Sequence, residues 1–279
     1  MEIAKPGSTS PAGLRNVFAV GSGKGGVGKS TVAACLAYGL QLRGATVGLM
    51  DADVYGPSIP HMLGVRGRPA TIEVDGQPQI TPIEKDGLKL MSMGFLIEDG
   101  RAAIWRGPML HGMMQNFIRN VTWGELDYLV IDLPPTTGDV PLSLSQLFPL
   151  TGAVVVCTPQ DVALIDAVRA MNMFRQLRVP ILGLVENMSH FDCPHCGGRS
   201  EIFGHGGARA AAAREGIPFL GELPINLQAR INGDLGRLKE NFAADNPIRP
   251  YLLQIAEQVA TQIDAQGRSA APLPSLNLT

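Results

Sequence analysis

The chain has 279 residues, of which 45% are hydrophobic and 17% are charged, and its formal net charge is −2. This composition excludes a mainly disordered chain, and the charge balance excludes a nucleic-acid protein that binds through bulk positive charge. No apolar run approaches the roughly 18 residues of a membrane span, and the first residues lack the apolar stretch of a secretory signal. We therefore expect a cytoplasmic α/β protein with no nucleic-acid or membrane partner.

Short apolar runs alternate with helix-length segments along the first half of the chain. The first run, Val17–Val20, ends in a glycine-rich turn and is followed by a predicted helix over Lys29–Arg43. A second run covers Thr46–Met50, and the segment from 57 to 100 is less regular, so we expect loops and short strands there. The strongest buried-strand pattern is Tyr128–Leu133, which ends at two prolines.

The second half of the chain continues the same alternation. Further strands are predicted at Ala153–Cys157, Ile181–Val185 and Pro218–Leu220. Helices are predicted over Met109–Val121, Val162–Leu177, Ala208–Glu215 and Ile248–Ile263. Apolar strands separated by helices predict a doubly wound, mainly parallel sheet with helices on both faces. We expect a single domain over residues 15–265, between a flexible lead at 1–14 and a flexible tail at 266–279.

Residues 23–30 read GKGGVGKS and match the P-loop pattern G-x-x-x-x-G-K-[ST]. Glycines allow backbone N–H groups of such a loop to approach phosphate oxygens, and the next helix directs its positive end at them. Lys29 is predicted to reach the β- and γ-phosphates of ATP, and the Ser30 hydroxyl to bind Mg²⁺. The predicted nucleotide-binding set of this loop is Gly23, Lys24, Gly25, Gly26, Val27, Gly28, Lys29, Ser30 and Thr31.

Aspartates follow two predicted strands, at the edge where α/β sheets bind their ligands. Asp51 and Asp53 follow the second strand, and Asp132 lies at the end of the strand before the two prolines. Carboxylates at this edge can hold Mg²⁺ and orient its water ligands. We predict Asp132 and Asp51 in the magnesium shell and Asp53 as the group that positions the attacking water. Asp139 is interpreted as a turn former.

A C-x-x-C pair, Cys193 and Cys196, lies in a glycine- and proline-containing loop at 190–200. Two thiolates so close favour a soft metal, which leaves zinc, an iron–sulfur cluster or a redox dithiol as alternatives. A closed metal site needs four ligands, so nearby histidines or a second chain would have to complete it. The nearby histidines are His190, His195 and His205. The other two cysteines, Cys35 and Cys157, are interpreted as buried small hydrophobic residues.

The phosphate loop has a second lysine, Lys24, that the general P-loop pattern does not require. The form KGGVGKS resembles the deviant Walker A loop of the nitrogenase iron protein and of MinD/ParA-type ATPases. In that class the first lysine reaches across a dimer interface to the nucleotide of the partner. The resemblance therefore implies a homodimer in which Lys24 acts in catalysis with Lys29 and Asp53.

Several sequence blocks occur in one order over residues 16–234. They include SGKGGVGKS (22–30), LMDADVYGPSIPHMLG (49–64), IWRGPM (104–109), WGELDYLVIDLPPTTGDV (123–140), LVENMSHFDCPHCG (184–197) and IFGHGG (202–207). Together these blocks resemble the Mrp/ApbC family of P-loop iron–sulfur carriers, which is related to the Nbp/Ind scaffold proteins.

This resemblance implies that Asn187 contacts adenine and that Cys193 and Cys196 bind a labile [4Fe–4S] cluster that bridges two chains. The implied activity is slow ATP hydrolysis, with Mg²⁺, coupled to transfer of the cluster to apo-proteins, and cluster assembly proteins are further implied partners. In one departure, Thr136 stands where the family usually has glycine. We expect this change to affect the hydrolysis rate more than nucleotide binding.

The alternative function is a MinD/ParA-like ATPase switch whose cysteine pair holds structural zinc. A switch that acts on membranes or DNA needs a basic amphipathic tail or a basic surface patch. The segment at 264–279 has one arginine and one aspartate, so it provides neither. The sequence therefore favours the iron–sulfur carrier.

Overall fold

The computed structural model of the chain describes residues 13–74, 76–95, 112, 114, 115, 117, 120–135, 139–147 and 149–269. The strands are β1 (Leu14–Gly21), β2 (Val47–Asp51), β3 (Thr71–Val74), β4 (Gln77–Ile80), β5 (Ile83–Lys85), β6 (Leu88–Ser92), β7 (Leu126–Asp132), β8 (Gly152–Cys157), β9 (Ile181–Asp192), β10 (Arg199–Ser200) and β11 (Phe219–Ile225). The helices are α1 (Lys29–Leu42), α2 (Ile59–Met62), α3 (Asp139–Leu147), α4 (Asp161–Gln176), α5 (Gly207–Glu215), α6 (Leu227–Asp234) and α7 (Arg249–Ser269).

Nine strands form one sheet, in which β1 lies between β7 and β8. From one edge to the other the order is β11, β9, β8, β1, β7, β2, β6 and β5, and β10 pairs with the carboxyl end of β9. The pairs β5–β6 and β9–β10 are antiparallel, and the other pairings in this sheet are parallel. Strands β3 and β4 form a separate hairpin.

Both faces of the sheet are covered by helices. Along β1, Val17 and Ala19 belong to one hydrophobic core and Phe18 and Val20 to the other, as the alternation of side chains in a strand requires. Helices α1 and α7 contribute to the second core, whereas α3, α4 and α5 contribute to the first. The predicted doubly wound, mainly parallel fold is confirmed. Within the described residues, no helix has both the length and the hydropathy that a bilayer crossing requires.

The structure differs from the sequence-based elements mainly at their ends. Asp139, interpreted as a turn former, is the first residue of α3, because aspartate is favoured both in turns and at helix starts. Helix α6 was not predicted, although Asn226 caps it by accepting a hydrogen bond from the Ala229 N–H. Helix α7 continues to Ser269, beyond the predicted end at Ile263 and beyond residue 265, where we expected the domain to end.

Two predicted features lie largely outside the described residues. Of the helix predicted over Met109–Val121, the described residues Gly112, Met114, Gln115 and Phe117 are helical, whereas Val121 forms a β-bridge with Ile80. The block at 104–109 and the departure at Thr136 lie outside the described residues.

Candidate functional site

Three adjacent strands end together at the carboxyl edge of the sheet. In the register of the central strands, Val20 of β1 lies beside Asp132 of β7, and Asp132 lies beside Asp51 of β2. Since β1 leads directly into the phosphate loop, this strand order brings the loop and both aspartates to one place. The open edge of a parallel sheet is where such folds bind their ligands.

The phosphate loop is packed so closely that two of its positions require glycine. At Gly28, which precedes α1 with a φ of 81°, an added Cβ would lie 2.2 Å from the Asn187 amide nitrogen. At Gly23 it would lie 2.0 Å from the carbonyl oxygen of Asp166, in α4. The Asn187 amide also donates a hydrogen bond to the Val27 carbonyl at 2.8 Å. The loop is therefore held between β9 and α4, and Asn187 is part of its wall.

Lys29 lies at the centre of the site and is almost fully buried. Its ammonium group donates hydrogen bonds to Asp132 Oδ1 at 2.6 Å and to the Ser30 hydroxyl at 3.1 Å. Asp53 Oδ2 lies 3.8 Å away from the same nitrogen. A buried ammonium needs such partners, because burial without an opposite charge is very unfavourable. The structure thus brings together Lys29, Ser30, Asp53 and Asp132, as the sequence predicted.

Asp132 has one carboxylate oxygen free for a further ligand. Its side chain is fully buried, and Oδ2 has no hydrogen-bond partner among the described residues. Burial raises the pKa of Asp132, and the charge and hydrogen bonds of Lys29 and Ser30 oppose that rise. A buried oxygen without a partner is unfavourable unless a ligand satisfies it. The residues present therefore fit a hydrated Mg²⁺ beside the phosphate loop.

Asp51 is fully buried next to Asp132 and accepts three hydrogen bonds. The donors are the backbone N–H groups of Asp53 at 3.1 Å and Ile59 at 3.2 Å, and the Ser92 hydroxyl at 3.0 Å. Burial, and then the charge of Asp132, raise the pKa of Asp51 to about 7. A divalent cation nearby would favour the ionised form. The sequence did not identify Ser92, because nothing in its local pattern shows that β6 pairs with β2.

Asp53 is the least buried of the three carboxylates, at 7% exposure. Its Oδ1 accepts hydrogen bonds from the N–H groups of Tyr55 at 3.2 Å and Gly56 at 3.3 Å. The other oxygen, Oδ2, is the one that lies near Lys29. The role of Asp53 with water remains a prediction.

Lys24 is half-buried, and its side chain forms no ion pair within the part of the chain described here. The backbone around it is ordered by the Ser22 hydroxyl, which donates a hydrogen bond to the Lys24 carbonyl at 2.9 Å. Thr31, in the first turn of α1, directs its hydroxyl towards the Met62 sulfur at 3.6 Å. Of the two loop lysines, Lys29 has ionic partners among the described residues and Lys24 has none.

Cys193 and Cys196 lie in the turn of a hairpin formed by β9 and β10. The Cys193 N–H donates to the Gly198 carbonyl at 3.0 Å, and the Gly197 N–H donates to the Cys193 carbonyl at 2.8 Å. Both thiols are free; Cys196 is exposed and Cys193 is partly so. The tight turn keeps the two sulfur-bearing residues together at the surface.

The four thiols differ in chemistry. Hydrogen bonds from the backbone of His195 and Cys196 hold the pKa of Cys193 below its usual value. Burial instead raises the pKa values of Cys35 and Cys157 to about 12. A thiolate is the form that binds soft metals, so Cys193 is suited to a metal and the two buried cysteines are not.

The predicted histidines do not gather around the cysteines. His195 is exposed in the hairpin turn, whereas His190 and His205 lie with Glu222 in a separate group. Among the described residues, no histidine, cysteine or carboxylate joins the two cysteines as a third ligand, so the pair supplies two of the four ligands that a closed metal site needs.

Comparison with known proteins agrees with this arrangement. Residues 13–260 match the family model described as ParA: NUBPL iron-transfer P-loop NTPase. The chain is 48% identical over 265 residues to a Haemophilus influenzae protein named iron-sulfur cluster carrier protein, and the match covers 94% of this chain and 71% of the relative. It is 48% identical over 254 residues to the iron-sulfur cluster transfer protein NUBPL of Dictyostelium discoideum, covering 90% and 78%.

Solved structures have the same fold. The nucleotide-binding protein of Archaeoglobus fulgidus in complex with ADP, in which cobalt was found, has a TM-score of 0.71 and 41% identity, covering 84% of this chain and 93% of that chain. The cell division ATPase MinD of Pyrococcus furiosus has a TM-score of 0.65 and 20% identity, covering 88% and 98%. At 20% identity, the likeness to MinD supports the fold alone.

Proposed function

Because the chain belongs to the family of NUBPL iron-transfer P-loop NTPases, we propose that it is an ATP-dependent carrier of iron–sulfur clusters. The cluster is its cargo, which it receives and passes to apo-proteins. The observation that carries the proposal is the exposed pair Cys193 and Cys196, which offers two thiols in one turn and has no third ligand in the described part of the chain. Relatives about half identical to the chain are named as carriers or transfer proteins of such clusters.

We propose that the cluster site is completed by a second copy of the chain. Two hairpins related by a twofold axis would supply four thiolates, which is the ligand set of a [4Fe–4S] cluster. The exposure of Cys196 supports this arrangement, since a shared cluster needs thiols at a surface that another chain can reach. An exposed pair also allows a cluster assembly protein or an apo-protein to approach the cargo.

The phosphate loop is proposed to bind ATP with Mg²⁺. Lys29 would exchange its contact with Asp132 for the β- and γ-phosphate oxygens, and Ser30 would hold the metal with water molecules oriented by Asp132 and Asp51. The metal neutralises charge that develops on the phosphates. Asn187 lies against the loop at Gly28, which supports its proposed contact with the adenine base.

Hydrolysis is proposed to need residues from two chains. Asp53 orients a water molecule, whose oxygen attacks the γ-phosphorus while the bond to the ADP oxygen breaks. Lys24 of the partner chain compensates the negative charge that the phosphate oxygens carry in the transition state. The partial exposure of Lys24 supports this role, because a partner chain can reach its side chain. Hydrolysis would then loosen the dimer and change the retention of the cluster.

The test is to reconstitute the full chain anaerobically with iron and sulfide and to measure its content of iron, sulfide and zinc. Absorption spectra and the oligomeric state are recorded on the same sample. We expect about two irons and two sulfides per chain in a dimer. Both Cys193→Ser and Cys196→Ser should lose them, whereas Cys35→Ala, a change at a buried cysteine, should keep them. Stoichiometric zinc that iron does not replace, with no cluster absorption, would overturn the proposal and favour a MinD/ParA-like switch with structural zinc.

A further inference from the structure

We propose that His190, His205 and Glu222 form a second metal site, separate from the cysteine pair, that binds a divalent transition-metal ion. The three side chains each offer one ligand atom, and these atoms lie within 4.8 Å of one another. The proposal does not depend on the function proposed above, since it concerns side chains that neither the phosphate loop nor the cysteine hairpin uses.

The fold brings these residues together from three separate parts of the chain. His190 lies in β9 and Glu222 in β11, and these strands are parallel neighbours. His205 lies in the connection between β10 and α5. The group therefore forms where an outer strand of the sheet meets the connection that leads into α5.

His190 is the strongest sign that the group binds a ligand. Its side chain is fully buried, yet neither ring nitrogen has a hydrogen-bond partner among the described residues. Asp192 Oδ2 lies 3.5 Å from Nε2, which is longer than a normal hydrogen bond. A buried polar group left without a partner costs about 1–3 kcal/mol, so structural histidines are normally hydrogen-bonded. A metal ion would satisfy a nitrogen of His190.

The spacing of the other two ligands already suits a metal. His205 Nε2 and Glu222 Oε2 are 3.1 Å apart. Two ligands bound to one tetrahedral zinc at about 2.0–2.2 Å are themselves separated by about 3.3 Å. An ion could therefore replace this hydrogen bond with little movement of either side chain. Glu201 Oε1 lies 3.8 Å from the other nitrogen of His205, where a carboxylate can orient a ligating imidazole.

A buried carboxylate ties the segment that carries His205 to the strand that carries His190. Glu186 of β9 accepts hydrogen bonds from the N–H groups of Gly206 at 3.0 Å and Ala208 at 2.7 Å. The Ser189 hydroxyl donates to the same carboxylate at 2.7 Å. The start of α5 favours this negative charge. His205 is thus next to an anchored residue, and the ligands are held in place before an ion binds.

The ligand set indicates which ions the site would take. Two imidazoles and one carboxylate suit Zn²⁺, Fe²⁺, Co²⁺ or Ni²⁺, whereas Mg²⁺ and Ca²⁺ prefer oxygen ligands alone. Three protein ligands leave at least one coordination position for water or another donor. His190 is close to the carboxyl end of β9, and Cys193 directly follows that strand, so the ion would lie near the base of the cysteine hairpin.

Cobalt binding to the full chain with Cys193→Ser and Cys196→Ser tests the site without thiolates. We expect about one Co²⁺ per chain, with visible d–d absorption, no thiolate charge-transfer band, and displacement by Zn²⁺. Adding His205→Gln or Glu222→Gln should weaken Co²⁺ affinity at least about tenfold. Adding His195→Gln, a matched change at an exposed histidine, should leave the affinity unchanged. Both test positions are partly exposed, so the variants should fold.

A second measurement guards against loss of structure in the variants. Zn²⁺ should raise the thermal unfolding midpoint of the Cys193→Ser, Cys196→Ser chain, and His205→Gln should remove that rise without changing the midpoint in a chelator. The proposal is overturned if this double-serine chain takes up no Co²⁺, or if uptake survives both His205→Gln and Glu222→Gln. Because the double-serine chain lacks the cysteine pair proposed to hold the cluster, failure of the carrier function would not change this result.

Discussion

The phosphate loop and the cysteine hairpin both follow a strand of the same sheet, but their surroundings are opposite. At the phosphate loop, Lys29, Asp51 and Asp132 are buried; Lys29 at the start of α1 donates a hydrogen bond to Asp132, and Asp132 lies beside Asp51 of the neighbouring strand. At the hairpin, the cysteines contact mainly the backbone of their own turn, and Cys196 is exposed. The central charges of the phosphate-loop site are assembled within one chain, whereas the cysteine pair has no further metal ligand among the described residues.

This difference in burial corresponds to a difference in how firmly each region holds its geometry. A buried network of charges keeps its geometry, because breaking one contact leaves another charge without a partner. An exposed turn can change its binding partners, since its sulfur atoms bind no group outside the turn among the described residues. Substitutions in such a turn bury or expose little surface, so they change stability little. A fixed nucleotide site and an accessible cargo site are what a cluster carrier needs.

The substitution Lys29→Ala should have the largest effect and should act on the phosphate loop without affecting the cysteine hairpin. We expect ATP affinity to fall at least about 100-fold, because the β- and γ-phosphates lose their main cation. The unfolding free energy should fall by about 3–5 kcal/mol, since Asp132 loses its partner. Titration calorimetry and urea unfolding measure the two effects.

Two variants show whether these effects are local to the phosphate loop. Adding Asp132→Asn to Lys29→Ala should recover stability but not ATP binding, because the unpaired charge is gone and the cation is still missing. Cys193→Ser should leave both ATP affinity and stability unchanged. If the cysteine variant lost ATP affinity as Lys29→Ala does, the two regions would not be independent.

Lys24→Ala should separate nucleotide binding from hydrolysis. We expect ATP hydrolysis to fall by about 10²–10³-fold, as when one charge-stabilising group is removed from a transition state, with a smaller change in ATP affinity. Mixing Lys24→Ala with Asp53→Asn tests action between chains, since one site of the mixed dimer contains both Lys24 and Asp53. Steady-state phosphate release should rise on mixing; no rise would contradict the role of Lys24 in the partner's site.

Asp51 should make stability depend on pH in the absence of Mg²⁺. Its pKa rises from an ordinary 3.8 to about 7 in the folded protein, so the folded state binds this proton more tightly than the unfolded state. The unfolding free energy should therefore decrease as the pH rises through that window. In the Asp51→Asn variant, the unfolding free energy measured with urea should decrease less between pH 4 and 7. Equal slopes in the two proteins would show that Asp51 does not carry the effect.

The smallest expected effect concerns the reactivity of the thiols. Cys193 should be alkylated by iodoacetamide before Cys196 near neutral pH, because its pKa is lowered by backbone hydrogen bonds. Cys35 and Cys157 should react only after unfolding, since they are buried. Peptide mass spectrometry over time measures the order. Early labelling of Cys157 would show that the sheet opens more readily than its burial implies.

Much of the site could be predicted because its signals are local. The glycines and Lys29 of the phosphate loop lie within eight residues, and the cysteines of the hairpin lie within four. Asp51, Asp53 and Asp132 follow apolar runs, and strand ends in α/β sheets are where ligand-binding side chains lie. The C-terminal end of α7 was less accurate and α3 was not predicted as a helix, since residues favoured in helices, turns and tails overlap there.

The sequence by itself determined the doubly wound fold, the phosphate loop and the cysteine pair, because apolar periodicity and short spacings are properties of neighbouring residues. Only the tertiary structure decided that Ser92 donates to Asp51, and that His190 and His205 lie with Glu222 and not with the cysteines. These contacts depend on which strands pair. In a parallel sheet the paired strands are far apart in sequence. The residues that come into contact at β11, β9 and β8 are therefore not marked by any local sequence pattern.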